Sequence, residues 1–143
     1  MAAAGVTGAD GAEIKPQGLR LLRVWADANG ESHLQELRVS PDAAPLPAMK
    51  SRIRPERGLP RPGAAPAWHN SPGRVFAVNL TGELECETSD GAKAHVPVGG
   101  IAFLEDVTGK GHLTRMLSPV TLLFLAAPDD FDVAAWAKGP ARA

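Results

Sequence analysis

From Arg74 to Ala126 apolar and polar residues follow one another in short runs separated by turn residues. Arg74–Leu80 ends at Thr81-Gly82. Glu83–Thr88 alternates cleanly, with Leu84 and Cys86 on one face and Glu83, Glu85 and Glu87 on the other. Such a period of two predicts a strand buried on one side. Ser89-Asp90-Gly91 predicts a tight turn. Ala92–Val96 is a short strand stopped by Pro97 and the Gly99-Gly100 pair. Ile101–Glu105 is apolar until its last residue, Asp106–Gly111 is a loop, and His112–Leu117 is the next strand. Ser118-Pro119 then turns the chain into Val120–Ala126. Short strands at regular spacing, with turn chemistry between them, predict an all-β sandwich or barrel. Asp129–Lys138 predicts a short C-terminal helix, capped by Asp129 or Asp130, with Phe131 and Ala135 facing the body.

Upstream the pattern is looser. Leu19–Ala26 reads as a strand or a mixed run, and Asn29-Gly30 readily takes positive φ. His33–Val39 reads as the return strand of a hairpin; a helical turn is the alternative, because Leu34 and Leu37 are three apart. In residues 40–67, Pro41, Pro45, Pro47, Pro55, Pro60, Pro62 and Pro66 exclude a helix. A stretch this long without regular structure predicts an arm or a lid. It sets Lys50, Arg52, Arg54, Arg57 and Arg61 against Glu56. Two readings stand: a solvated arm crossing the barrel or a dimer partner, and a cationic rim that attracts an anionic substrate. Residues 2–18 are small and polar and predict a flexible lead. The chain therefore divides into a lead (1–18), a hairpin with a Pro-rich basic arm (19–66), a barrel core (67–128) and a helix with tail (129–143).

Composition narrows the classes. A length of 143 residues predicts one domain, and thirteen prolines with fifteen glycines agree with many turns. A net charge of -1 argues against bulk attraction to nucleic acid or an anionic membrane, and no aromatic is interleaved with the basic arm. The single cysteine, Cys86, forms no internal disulfide, and its acidic neighbours raise a thiol pKa, so it reads as inert. The first residues lack a charged n-region, and the longest apolar run, Val120–Ala127, is far short of a membrane span. The expectation is a soluble cytoplasmic protein. The chain has no Gly-rich phosphate loop, Cys-x-x-Cys pair or nucleophile elbow.

A motif pair is more specific. Gly63 is followed by five residues and His69; Ser71 and Val75 come next, and Gly82-Glu83-Leu84 closes the run. Downstream, Val107, Gly109, His112 and Met116 stand at spacings of a second motif. Together with Trp68-His69 and Glu105-Asp-Val-Thr-Gly-Lys-Gly-His112, this resembles the cupin superfamily, in particular its small single-domain members. The resemblance implies a double-stranded β-helix (cupin or jelly-roll barrel) and a homodimer. Metal-binding cupins use three His and one Glu or Gln. Here Ser71 and Val75 stand at two of those four positions, and only His69 and His112 fit. Two imidazoles hold Fe, Mn or Zn weakly. Glu105 or Asp106 could add a third ligand, an arrangement the family does not use.

Within that fold, alternation places Val75, Ala77 and Asn79 on the lining face of one strand, and His112, Thr114 and Met116 on that of another. The pocket is then mostly apolar with a polar mouth. His69 is the candidate general acid or base, with His112 as partner and Glu105 in the pocket. Glu105 and Asp106 are each candidates to orient a histidine or carry a proton; for Asp106 the preferred reading is the structural task of bonding the amides of Thr108 to Gly111. Candidate substrate-binding residues are Trp68 as a wall or stacking surface, Arg74, Asn79, Lys110, Thr114 and Met116. Strand parity also allows Arg74 to pair on the surface, and Lys110 to be simply solvated. His33 and His95 are given no role. The expected protein is a cofactor-free acid/base enzyme (an isomerase, cyclase or lyase) acting on a small organic substrate, with no nucleic-acid or membrane partner. The alternatives are a metal-dependent oxygenase or isomerase using His69, His112 and Glu105, and a non-catalytic metabolite-binding module.

Overall fold

A strand with apolar residues at consecutive positions must be covered on both faces, and several strands here have that character. The computed structural model describes residues 18–55 and 67–140, with 6–7, 9 and 13–14. Its elements are β1 (Val6–Thr7), β2 (Glu13–Ile14), β3 (Leu19–Ala26), β4 (Ser32–Val39), β5 (Lys50–Arg54), β6 (Val75–Thr81), β7 (Leu84–Thr88), β8 (Lys93–Val96), β9 (Ile101–Leu104), β10 (His112–Met116), β11 (Thr121–Ala126) and α1 (Val133–Lys138). Six strands form one sheet in the order β4-β3-β9-β6-β11-β5, and three form a second in the order β10-β7-β8. Every pairing is antiparallel except β3 with β9. The protein is thus mostly β, with two main sheets, neither of them closed among the described residues, a separate two-stranded β1–β2 pair, and one short helix.

Two apolar clusters follow from the alternation. Leu22, Ala102 and Leu122 of the large sheet meet Leu84, Val96 and Met116 of the small one, filling the space between the sheets. Leu21, Phe76 and Phe103 point the other way and are covered by Val133 and Ala137 of α1, with Phe131 and Trp136 beside them. The Phe76 and Phe103 rings meet edge to face at 4.8 Å.

Polar ties hold the β3–β4 hairpin to the small sheet. The buried Ser32 Oγ donates to the carbonyl of Gly111 at 2.6 Å. His33 lies between Asp27 Oδ2 (2.7 Å) and Asp90 Oδ2 (3.0 Å) and packs against Trp25. Asp27, and to a lesser degree Asp90, hold its pKa above the usual imidazole range.

Three details differ from the sequence reading. The Pro-rich arm contains a strand, β5, because the interval between Pro47 and Pro55 is free of proline and pairs with β11. The helix begins later: Asp132, not Asp129 or Asp130, is the N-cap, its side chain accepting from Ala135 N–H. That shift rotates Ala135 into solvent and puts Val133 and Ala137 against the body, while Phe131 still packs from the preceding turn. Residues 56–66 of the arm, with Arg57, Arg61 and Gly63, lie outside the described residues, as does most of the 1–18 lead. No helix among the described residues is long and apolar enough to cross a membrane.

Candidate functional site

The glycines of Thr108-Gly-Lys-Gly-His112 are explained by close backbone approach. Gly109 and Gly111 have φ of 85° and 75°, which L side chains rarely adopt. A Cβ at Gly109 would lie 2.5 Å from the carbonyl oxygen of Gly30, and one at Gly111 2.3 Å from that of His69. The chain can therefore bring His112 alongside His69. An isolated β-bridge joins them, each N–H donating to the other's carbonyl at 2.9 Å. The two rings pack with centroids 4.4 Å apart, tilted by 59°.

Behind His112 stands Asp106. Both are buried, and Asp106 Oδ2 accepts from His112 Nδ1 at 2.6 Å. Its main-chain carbonyl accepts from Ser71 N–H and Asn70 Nδ2, so the carboxylate is held from both sides of the loop. The other carboxylate oxygen, Oδ1, is buried with no hydrogen-bond partner among the described residues. A buried acceptor in that state is uncommon and marks a place where another group can act. His69 Nδ1 donates to the carbonyl of Ala67 at 3.0 Å. Each imidazole thus commits Nδ1 to the protein, which leaves Nε2 for chemistry.

The rings border a cleft between the sheets. An outer chamber of about 270 Å³ is lined by His69, His112, Thr114, Met116, Phe124 and Arg54, among others. An inner chamber of about 50 Å³ shares His112 and Thr114 with it and continues to Asn79 and Cys86 between apolar walls. Burial, reinforced by the charge of Asp106, pushes the Cys86 thiol up to about 12, so it is no nucleophile here. Asn79 donates from Nδ2 to the carbonyls of Gly82 (2.8 Å) and Val96 (3.2 Å), which leaves its Oδ1 buried and without a hydrogen-bond partner among the described residues.

Of the residues expected at the site, His69, His112, Asn79, Thr114 and Met116 are brought together around this cleft. Trp68 is 47% exposed and lines neither chamber, although it neighbours His69 in the chain. Lys110 reaches outward to Glu31 at 2.5 Å. Glu105 is not in the pocket. Leu104 faces the cleft and the ladder runs one residue further, since Glu105 N–H donates to Val24 O, so Glu105 must face the other way. There its Oε1 receives Arg23, and its Oε2 receives Arg74 at 3.0 Å. Arg74 also donates to the carbonyls of Pro128, Asp129 and Phe131, so it anchors the chain leading into α1 rather than facing the cleft.

Asp106, one position on, is the carboxylate that turns inward. It does not bond the amides of Thr108 to Gly111; that loop is held instead by the Lys110 N–H to Gly30 O bond, by Asn70 Nδ2 on Gly109 O and by Ser32 on Gly111 O. Counting alternation onward from Leu104 would have found Asp106. Arg54 was marked in the sequence only as part of a cationic rim, and its place beside Phe124 follows from the pairing of β5 with β11.

The donor set fits a tightly held metal poorly. Glu105 is committed to two arginines, and the Ser71 hydroxyl donates to Gly73 O. Among the described residues no group of three or more His, Cys, Asp or Glu side chains converges as a ligand set. No protein-family model matches the chain, and no curated protein matches it.

Proposed function

We propose that the two facing sheets form a double-stranded β-helix of the cupin type, and that the cleft between them is the site of a cofactor-free acid/base enzyme. The observation that carries this reading is the buried Asp106–His112 pair at the junction of the two chambers. The carboxylate fixes the ring's orientation and tautomer, so that Nε2 can accept a proton from a molecule in the cleft. His112 then carries that proton on Nε2 and can return it at a second atom of the same molecule, with the His69 ring packed 4.4 Å away beside it. Two proton transfers without electron transfer suit isomerisation, cyclisation or elimination, and a carbonyl group beside the reacting carbon makes the proton acidic enough to remove. The substrate class is therefore a small, partly apolar carbonyl compound.

The test is hydrogen exchange in D2O. Purified protein is incubated with a panel of ketones and 1,3-dicarbonyl compounds, and loss of the α-proton signal is followed by NMR. The expected result is accelerated exchange on part of the panel, reduced at least a hundredfold by His112→Gln and strongly by Asp106→Asn, an order of magnitude typical of a lost general base. Binding without exchange would reduce the protein to a metabolite-binding module. One tightly held transition metal per chain, measured on protein purified without chelators, would replace this reading with a metal-dependent one.

A further inference from the structure

The floor of the cleft carries an unmet hydrogen-bonding demand. Asn79 is 1% exposed and lines the inner chamber. The two carbonyls of Gly82 and Val96 fix which end of its amide is which, because both need the Nδ2 donor. Its Oδ1 is then an acceptor with no partner among the described residues, within walls formed by Ala77, Leu84, Ala102 and Leu122. An unsatisfied buried amide oxygen costs about 1–3 kcal/mol, so a ligand that brings a donor there gains what the protein alone lacks. A neutral donor suits these apolar walls, since a charged one would lose its hydration. At about 50 Å³ the chamber has room for little more than a hydroxyl-bearing carbon.

The mouth has the opposite character. Cross-strand partners share a face of a sheet, and β5 pairs Arg54 with Leu122, Arg52 with Phe124 and Lys50 with Ala126. Leu122 and Phe124 line the outer chamber, so the three cations lie on that face. Arg54 itself lines the chamber, and the Arg52 guanidinium stands 5.5 Å from the centre of the Phe124 ring. Among the described residues no carboxylate lines the outer chamber. This local positive field belongs to a chain whose net charge is -1, so it is a feature of the mouth rather than of the whole surface.

We propose that the ligand is a small hydroxycarboxylate: its hydroxyl reaches Asn79 Oδ1, its apolar middle passes Thr114 and His112, and its carboxylate remains at the mouth by Arg54. This rests on the cleft being the binding site, and it names the two ends of what is bound.

The probes are unbranched ω-hydroxyalkanoates of graded length, the matching alkanoates without the hydroxyl, and the matching alkanols without the carboxylate. Affinities are measured with the full chain by calorimetry and amide NMR. At the best length the hydroxyalkanoate should bind roughly five- to tenfold more tightly than its alkanoate, the worth of one buried hydrogen bond. Asn79→Leu should erase that difference. Because this change also removes two structural bonds, Ala77→Val, which only narrows the inner chamber, serves as a second variant with the same expectation. Arg54→Gln should weaken both acids severalfold, more at low salt, and leave the alkanol unchanged.

Equal affinity of hydroxyalkanoate and alkanoate at every length would overturn the Asn79 assignment, as would a hydroxyl preference that survives both cavity variants. Acids that bind no better than alkanols would overturn the assignment at the mouth. These readouts involve no turnover. A hydroxyl preference without any proton exchange would remove the enzyme reading and keep this one; exchange without the preference would do the reverse.

Discussion

A single methyl group at Gly111 would separate the two histidines. Its φ is 75°, and a Cβ there would lie 2.3 Å from the carbonyl oxygen of His69, 2.6 Å from its carbonyl carbon and 3.1 Å from the backbone nitrogen of Asn70. All three are main-chain atoms, so no side chain can swing aside. Gly111 cannot retreat freely either, because Ser32 holds its carbonyl at 2.6 Å. Gly111→Ala therefore incurs about 1–2 kcal/mol for an alanine in left-handed backbone. It also loses much of the two-bond bridge between His69 and His112, at about 1 kcal/mol per bond. The expected total is about 2–4 kcal/mol. With an m-value of roughly 2 kcal/mol per molar urea, the unfolding midpoint falls by about 1–2 M.

Gly91 provides the control. Its φ is 92°, but nothing lies within 4 Å of a Cβ built there. Gly91→Ala should show the conformational cost alone, about half the loss or less. Two measurements decide the matter: urea midpoints of both variants, and the contact between the His69 and His112 ring protons seen by NMR. If the two variants unfold at the same midpoint, or if the ring contact persists in Gly111→Ala, the bridge is not what fixes the pair.

Other consequences are as direct. His33 should titrate above 6.5 by NMR, held up chiefly by Asp27, whose own carboxyl is lowered below 3.8 by the same bond. The charged pair then stabilises the fold most between those values, weakening as pH rises through the raised histidine pKa and as it falls through the depressed Asp27 pKa; His33→Gln should flatten that pH dependence, and a titration at or below 6.5 would contradict it. With its thiol near 12 and its side chain buried, Cys86 should resist alkylation at pH 8 in the native protein and react fully in urea; rapid native labelling would show the inner chamber to be open. Arg74→Met should destabilise the protein by about 2–3 kcal/mol, since it strips a part-buried carboxylate and three carbonyls of their donor, yet leave ligand affinity unchanged. A selective loss of affinity in that variant would return Arg74 to the cleft.

The strands were legible because their alternation is strong and their turns are chemically distinct. Leu84 and Cys86 against Glu85 and Glu87 define one face without further information, and that face is buried. What escaped was long-range. β5 has no alternation of its own, all its residues are exposed, and prolines bracket it; only the free edge of β11 turns Lys50–Arg54 into a strand. The helix start was misplaced for a local reason: Asp129, Asp130 and Asp132 all offer a capping oxygen. The choice fell to the residue whose helix sets Val133 and Ala137 against Phe76 and Phe103.

The same logic explains the exchange of roles between Glu105 and Asp106. Adjacent carboxylates on a strand must face opposite sides, so one enters the cleft and the other cannot. Composition cannot say which, and the end of β9 looks like the start of a loop in sequence. The deciding fact is a ladder bond from Glu105 N–H to Val24 O, after which Glu105 meets Arg23 and Arg74 on the outer side. An arginine pair on the back of a sheet captures the glutamate, and the aspartate is left with a histidine as its partner in the dry interior. The pairing of Asp106 with His112 is thus a consequence of strand alternation past Leu104, and Arg23 and Arg74 only satisfy the glutamate that alternation has turned outward. On this argument Arg23→Met combined with Arg74→Met would leave Asp106 and His112 joined, because alternation alone keeps Glu105 outside.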